Sequence, residues 1–219
     1  MSDFPQTKKN RVVRAPKRGK YDWETIYHIL DEGLICHVGL VEAEQPVVIP
    51  TLYARDDDRL LLHGATTSRL IEYAQAGNPI CVTVTLLDGI VLARSVFHHS
   101  MNYRSVVLFG QGHLVSDEEK MAGMKQFTER LIPGRWADAR PPNAQEFKAT
   151  SVVAIPIDLA SAKVRSGPPI DDEEDLSLPV WAGVIPMRQQ FLAPVRDPLL
   201  PGDIPLPDYI NGYLKARQG

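Results

Sequence analysis

Two cysteines are all that 219 residues supply. Cys36 and Cys81 both lie in apolar, strand-like runs and read as buried, reduced thiols, not as a disulfide framework. No apolar run is long enough to span a bilayer, and no secretory h-region opens the chain, so a cytoplasmic protein without membrane contact is expected. A net charge of only −3 gives no reason to expect nucleic acid as a partner. The signatures GxGxxG, GxxxxGK[ST], CxxC, HExxH and GxSxG are all missing. Their absence removes the Rossmann and P-loop phosphate cradles, the common zinc frameworks and the nucleophile elbow. Of the six histidines, His98 and His99 are adjacent, and His37 is adjacent to Cys36. Neighbours on an extended strand point to opposite faces, so no metal site is expected.

What is present is ordinary globular material, 44% hydrophobic and 23% charged, without internal repeats. Residues 1–20 carry seven Lys or Arg against the single acid Asp3 and read as a basic, flexible arm, or one laid over a neighbouring subunit. Asp22 has the position of an N-cap for a helix over 23–31 that Gly33 closes. Runs rich in β-formers follow at 34–41, 46–54 and 59–63. After a helix, 80–87 and 90–97 flank Asp88-Gly89, a hairpin signal. Residues 104–115 and 150–157 are further strands, and Ser116 to Glu119 forms a capping box for a helix reaching about residue 131. Short strands with hairpin signals and single helices predict a mainly β (α+β) antiparallel barrel over 21–165, helices outside. Prolines number eighteen in all and crowd the last third, so 166–219 is expected to wrap over the barrel or a dimer partner.

Three stretches carry candidate chemistry. LLLHGATTSRLIEYAQAGNP (60–79) delivers a strand to a helix start bearing Thr66, Thr67, Ser68 and Arg69. Those groups serve either as an N-cap or as a phosphate site made of free N–H groups, hydroxyls and a cation. FHHSMNYRSVVLFGQG (97–112) concentrates His98, His99, Asn102, Tyr103, Arg104 and Ser105, as a site or as a solvated strand edge. Lys163 and Arg165 share one strand face. The acidic run 171–175 reads as a solvated loop, and Trp181 as core filler or a lid on a planar ligand.

The order HVG-V…QPVVIPTLYARDDDRLLLHGATTSRL…GNPICVTVTLLDG…FHHSMNYRSVVLFGQGHLV resembles the flavin-nucleotide-binding split barrels related to pyridoxamine 5′-phosphate oxidase, in their nitroimidazole-resistance-type subgroup. The resemblance covers about Tyr21 to Pro186. It implies a six-stranded antiparallel split β-barrel with peripheral helices, a homodimer and FMN in the cleft between subunits. On that resemblance Val48, Ile49, Pro50, Thr51 and Leu52 run along the flavin ring, while His63, Gly64, Thr67, Ser68 and Arg69 clamp its phosphate. The oxidase proper has Ser-Arg-Lys where this chain has Ser68-Arg69-Leu70, so Lys163 or Arg165 is expected to supply the missing cation. Tyr103, Arg104 and Ser105 approach the ring from the partner side, with Trp181 as a further wall. Arg104, His98 and His99 are the catalytic candidates, Arg104 because a fixed guanidinium favours the reduced ring.

No arginine–histidine pair stands near the C-terminus to grip a B6 substrate, so the vitamin oxidase itself is not implied. The expected function is hydride or electron transfer from a reduced donor such as NAD(P)H to a small acceptor, a nitro-aromatic or a quinone. Two alternatives stay open: a haem-binding or haem-degrading split barrel with His63, His98 or His99 as axial ligand, and a non-catalytic flavin-binding module.

Overall fold

The computed structural model describes residues 3–217. The outermost two residues of each expected extension, 1–2 and 218–219, lie outside it. Helix α1 (Trp23–Glu32) starts at Asp22, whose carboxylate accepts the Thr25 N–H at 2.8 Å, and it buries Ile26, Ile29 and Leu30 against the sheet. Gly33 ends it, though not as a left-handed cap, since its φ is −70°. A Cβ there would meet Val84 Cγ1 at 2.6 Å and the Tyr53 hydroxyl at 2.8 Å, so the glycine permits close packing.

Ten strands follow in chain order: β1 (Gly19–Lys20), β2 (Ile35–Glu42), β3 (Gln45–Asp56), β4 (Arg59–Ala65), β5 (Pro79–Leu92), β6 (Ser100–Gln111), β7 (His113–Leu114), β8 (Thr150–Pro156), β9 (Ala160–Arg165) and β10 (Gly183–Pro186). They form one antiparallel sheet in the order β1-β9-β6-β5-β2-β3-β4-β8-β7, with β10 added to β5. Six of them, β2, β3, β4, β5, β6 and β8, have seven or more residues and make the expected split barrel, which does not close into a ring. β3 changes partner midway: up to Leu52 it pairs with β2, from Tyr53 onward with β4. The main core lies inside the barrel and includes Val38, Leu60, Val82, Val106 and Ile155. Cys36 belongs to it, and both cysteines are free thiols.

Asp88-Gly89 is not a hairpin turn. β5 runs through it with a bulge between Leu87 and Gly89, and the chain reverses instead at 93–99, around a 3-10 turn at Val96–His98. A Cβ on Gly89 would lie 2.9 Å from the Ile185 carbonyl, because β10 pairs there. The glycine admits a third backbone, and long pairing outweighs the local turn preference.

The remaining helices are α2 (Arg69–Gln75), α3 (Asp117–Leu131), α4 (Arg135–Asp138), α5 (Ala144–Ala149) and α6 (Asp208–Ala216). The capping box on α3 is present, with Ser116 and Glu119 bonded reciprocally. α3 covers a second small core of Ala54, Leu61, Phe127, Val152 and Ala154. The chain before β1 is held to the barrel: the Phe4 N–H donates to Tyr21 O at 2.8 Å, and Asn10 is buried. The acidic run departs from a solvated loop at its first residue, while 172–174 are exposed. The Asp171 side chain is 1% exposed, pairs with Arg94 at 2.9 Å and accepts the Arg94 N–H at 2.7 Å. In the C-terminal extension the Tyr209 hydroxyl donates to Asp138 at 2.7 Å, bringing α6 onto α4. No helix among the described residues is long and apolar enough to cross a membrane.

The Thr25 hydrogen bond holds the Asp22 carboxyl below its ordinary 3.8, against opposing burial. A depressed folded-state value gives stability that is present above the unfolded pKa and lost as pH falls through the folded one. Asp22→Ala is therefore expected to cost about 1 kcal/mol at neutral pH. Urea titrations of both proteins should show the gap closing in acid below the ordinary Asp value.

Candidate functional site

Strand alternation sorts the residues expected beside a planar ligand. In β3, Val48, Pro50 and Leu52 sit opposite Gly39, His37 and Ile35 of β2 on the outer face of the sheet. Ile49 packs inward on the barrel core, and Thr51 pairs with the fully buried Cys36. The outer face is unusually apolar for a solvated sheet, since Ile35, Val41, Val48 and Leu87 are all exposed. Tyr103, Ser105, Lys163 and Arg165 belong to it by register, Tyr103 opposite Arg165 and Ser105 opposite Lys163.

Gly64, Thr67, Ser68 and Arg69 meet at the turn into α2. Ser68 Oγ accepts the Ile71 N–H at 3.3 Å, the ordinary work of an N-cap. Arg69 is about half exposed and pairs with Glu42 at 3.1 Å, a contact readily exchanged for a phosphate. His63 does not join this turn. Strand alternation sends its ring to the opposite face, against Phe127 with centroids 4.2 Å apart.

There His63 lines a cavity of about 470 Å³ between β3, β4, α3 and α4. Its walls are largely apolar, with Leu34, Leu52, Phe127 and Trp136 among them, and Arg130, Arg135 and Arg140 also line it. His63 Nδ1 is buried and has no hydrogen-bond partner, and the same holds for Arg130 Nε. Burial pushes the His63 imidazole below its ordinary range, which favours the neutral ring. Among the described residues no group of three or more His, Cys, Asp and Glu is placed to hold a metal ion. A metal at His63 would therefore have to bring its own further ligands. Leu34, Phe127, Arg130, Arg135, Trp136 and Arg140 were not anticipated. The segment PGRWADARPPN (133–143), with two arginines and a tryptophan, held the available signal.

The other candidates are occupied. Arg104 Nε donates to Asp88 at 3.0 Å, its Nη2 to Asp88 at 2.7 Å and to Glu32 at 2.8 Å, and Nη1 also bonds Glu32. Two carboxylates thus neutralise it from the side away from Tyr103 and Ser105. His98 Nε2 lies 3.1 Å from Asp172, and His99 Nδ1 accepts the Ala93 N–H at 3.3 Å, so both brace the 93–99 turn. Arg165 is buried against the Asn102 side chain and the Gly167 and Pro168 carbonyls, away from any carboxylate. Trp181 is exposed and packs beside Gly183.

Residues 22–164 match the family model described as pyridoxamine 5′-phosphate oxidase. No curated protein sequence matches. Among solved structures, the flavocytochrome Anf3 from Azotobacter vinelandii is 42% identical, with a TM-score of 0.90, over 94% of this chain and 96% of that one. A protein from Mycobacterium smegmatis described as binding FAD and heme is 36% identical, with a TM-score of 0.86, over 89% and 96%. A Bacteroides thetaiotaomicron protein assigned to 5-nitroimidazole resistance shares the fold at 24% identity and a TM-score of 0.56, over 67% of this chain and 86% of its own.

Replacing Arg104 by Met tests whether its role is structural. The Arg104 hydrogen bond, opposed by burial, holds the Glu32 carboxyl below its ordinary 4.5. That stability is present above the unfolded value and lost as pH falls through the folded one. With side chains 25% and 41% exposed, the pair is screened. The variant is expected to lose about 1 kcal/mol at pH 7. Denaturant midpoints should converge with the parent's in acid below the ordinary Glu value. Unequal flavin content in the two folded proteins would instead place Arg104 at the ligand.

Proposed function

Because the chain belongs to the pyridoxamine 5′-phosphate oxidase family of split β-barrels, we propose that it is a two-cofactor oxidoreductase with a flavin nucleotide on the outer sheet face and a haem in the His63 cavity. The observation that carries the haem is His63, whose ring lines a largely apolar space that arginines also line and whose buried Nδ1 has no hydrogen-bond partner. A neutral imidazole is a common axial ligand, and guanidinium groups suit haem propionates. The names of the two relatives that span nearly the whole chain, a flavocytochrome and an FAD and heme binding protein, favour the same pairing.

The exposed apolar strip of Ile35, Val41, Val48 and Leu87 supports a homodimer in which two outer faces enclose the flavin ring. Ser68 and Arg69 would hold the phosphate nearest the flavin ring, Arg69 exchanging Glu42 for that anion. When bound, a flavin takes up hydride or electrons from a donor such as NAD(P)H and a haem passes single electrons, so the pair connects a two-electron donor to a small acceptor. Phe127 keeps the His63 ring oriented, and the apolar walls exclude water from it. Arg135 pairs with Asp138 and bonds the Tyr209 hydroxyl, Arg140 pairs with Glu146 and bonds the Pro141 carbonyl, and propionates would displace the two exposed carboxylates.

The absorption spectrum of the protein, purified from cells supplied with a haem precursor, should show flavin bands and a Soret band. His63→Ala is expected to abolish the Soret band and keep the flavin. Arg69→Ala should weaken flavin binding about tenfold, the low end for a charge-assisted contact at an exposed site. Colourless protein would sink the proposal. Both bands without NAD(P)H-driven turnover would reassign the chain as a non-catalytic flavin-binding module.

A further inference from the structure

The C-terminal helix shares a side chain with the His63 cavity. Tyr209, Tyr213 and Arg217, spaced four residues apart, lie on one face of α6. The Tyr209 ring rests on Gly134, where a Cβ would come within 3.2 Å of it. The Tyr209 hydroxyl donates to Asp138 at 2.7 Å and accepts from Arg135 Nη1 at 3.1 Å, and the same Nη1 donates to Asp138 at 3.0 Å. Arg135 also lines the cavity, beside Trp136. One guanidinium thus serves both the helix outside and the space within.

The helix is docked lightly. No residue of α6 is buried, and its far end is held by ring contacts: Tyr213 meets Phe191 with centroids 5.5 Å apart, and the Arg217 guanidinium lies 4.9 Å from the Tyr213 ring. The Tyr213 hydroxyl is buried without a hydrogen-bond partner, a penalty that undocking relieves by admitting water. The tether, residues 192–206, is exposed throughout, and within it Arg196 Nη1 donates to the Ile204 carbonyl at 2.9 Å. α4, by contrast, is fixed from the barrel side. Glu129 of α3 accepts the N–H groups of Gly134 and Trp136 at 2.7 and 2.9 Å. The helix can therefore leave without taking the cavity wall with it. Phe191 and Arg217 in turn line a second cavity of about 550 Å³, whose walls include Leu87 of the outer sheet face.

We infer that α6 is a releasable strap that responds to occupancy of the His63 cavity. An apolar ligand with an anionic group takes Arg135 away from Tyr209 and Asp138, α6 undocks, and the second cavity opens beside the outer face. The inference rests on the haem reading above for the identity of that ligand, whose propionates are the anions. The competition itself needs only an apolar anion in the cavity. Because helix and ligand draw on one guanidinium, each weakens the other, and the coupling is reciprocal.

Hydrogen exchange of residues 208–216 is followed in the full chain, with and without haemin, for the parent, Tyr209→Phe and Tyr213→Phe. Each variant removes one oxygen, and the two are expected to act in opposite senses. Losing the Tyr209 hydroxyl should speed exchange of α6 about fivefold and tighten haemin binding by up to that factor. Losing the unpartnered Tyr213 hydroxyl should slow exchange and weaken haemin binding. In the parent, haemin should speed exchange of α6. Unchanged or slower exchange on haemin binding, or two variants that do not diverge, overturns the inference. If haemin binds none of the three proteins, the haem reading falls, and anilinonaphthalene sulfonate, an apolar anion, becomes the probe. Opposed shifts in its affinity then keep the strap, while equal affinities or no binding end it.

Discussion

Tyr53 joins the barrel to everything outside it. It stands where β3 leaves β2 and takes up β4, with its ring buried in the core and its hydroxyl donating to the Leu30 carbonyl at 2.6 Å. That bond ties the end of α1 to the bend in the sheet, and Gly33 must be small for the two to meet. The Arg130 guanidinium lies over the same ring at 4.8 Å and bonds the carbonyls of Leu30 and Gly33. α3 is thus anchored where the strand turns outward, and the cavity beside His63 is the space this anchoring leaves. A buried phenol without its acceptor would cost a full desolvation penalty, so the arrangement is strongly specified.

Charge is distributed by the same economy of partners. Several arginines are committed to architecture: Arg104 joins α1 to β5, Arg94 fastens the 93–99 turn to the C-terminal extension, and Arg55 grips Asp31. Other polar groups have nothing to do in the protein alone. His63 Nδ1 and Arg130 Nε are buried without partners, and both residues line the cavity beside α3. Groups left without partners mark ligand sites better than charge density does. The dense cluster at 97–105 shows why: His98 and His99 brace a turn, Asn102 holds Arg165, and Arg104 joins Glu32 and Asp88.

Much of the architecture was legible from local pattern. Asp22 and Ser116 announced their helices through side chains that reach only three residues, and β-rich runs announced the strands. Asp88-Gly89 misled because a dipeptide does not reveal a third strand arriving from residues 183–186. Asp171 misled for a similar reason: its partner, Arg94, is far away in sequence, so a carboxylate that looked solvated is buried. The outer-face residues Val48, Pro50 and Leu52 followed from two-residue alternation once the strand was known. The family likeness put His63 among the phosphate ligands, and strand alternation turns its ring to the face where Phe127 lies.

Sequence alone determined most strands, the capped helices and the antiparallel class, since each rests on periodicity, side-chain size or contacts within a few residues, and the family likeness, which rests on the order of its motifs. Tertiary structure alone decided which polar groups are spent and which are spare. Pairing Arg104 with Glu32 and Asp88, or leaving His63 Nδ1 without a donor, depends on groups brought together from distant parts of the chain. Hydrogen bonds and ion pairs act over a few ångströms, and separation along the chain carries no record of which groups come that close.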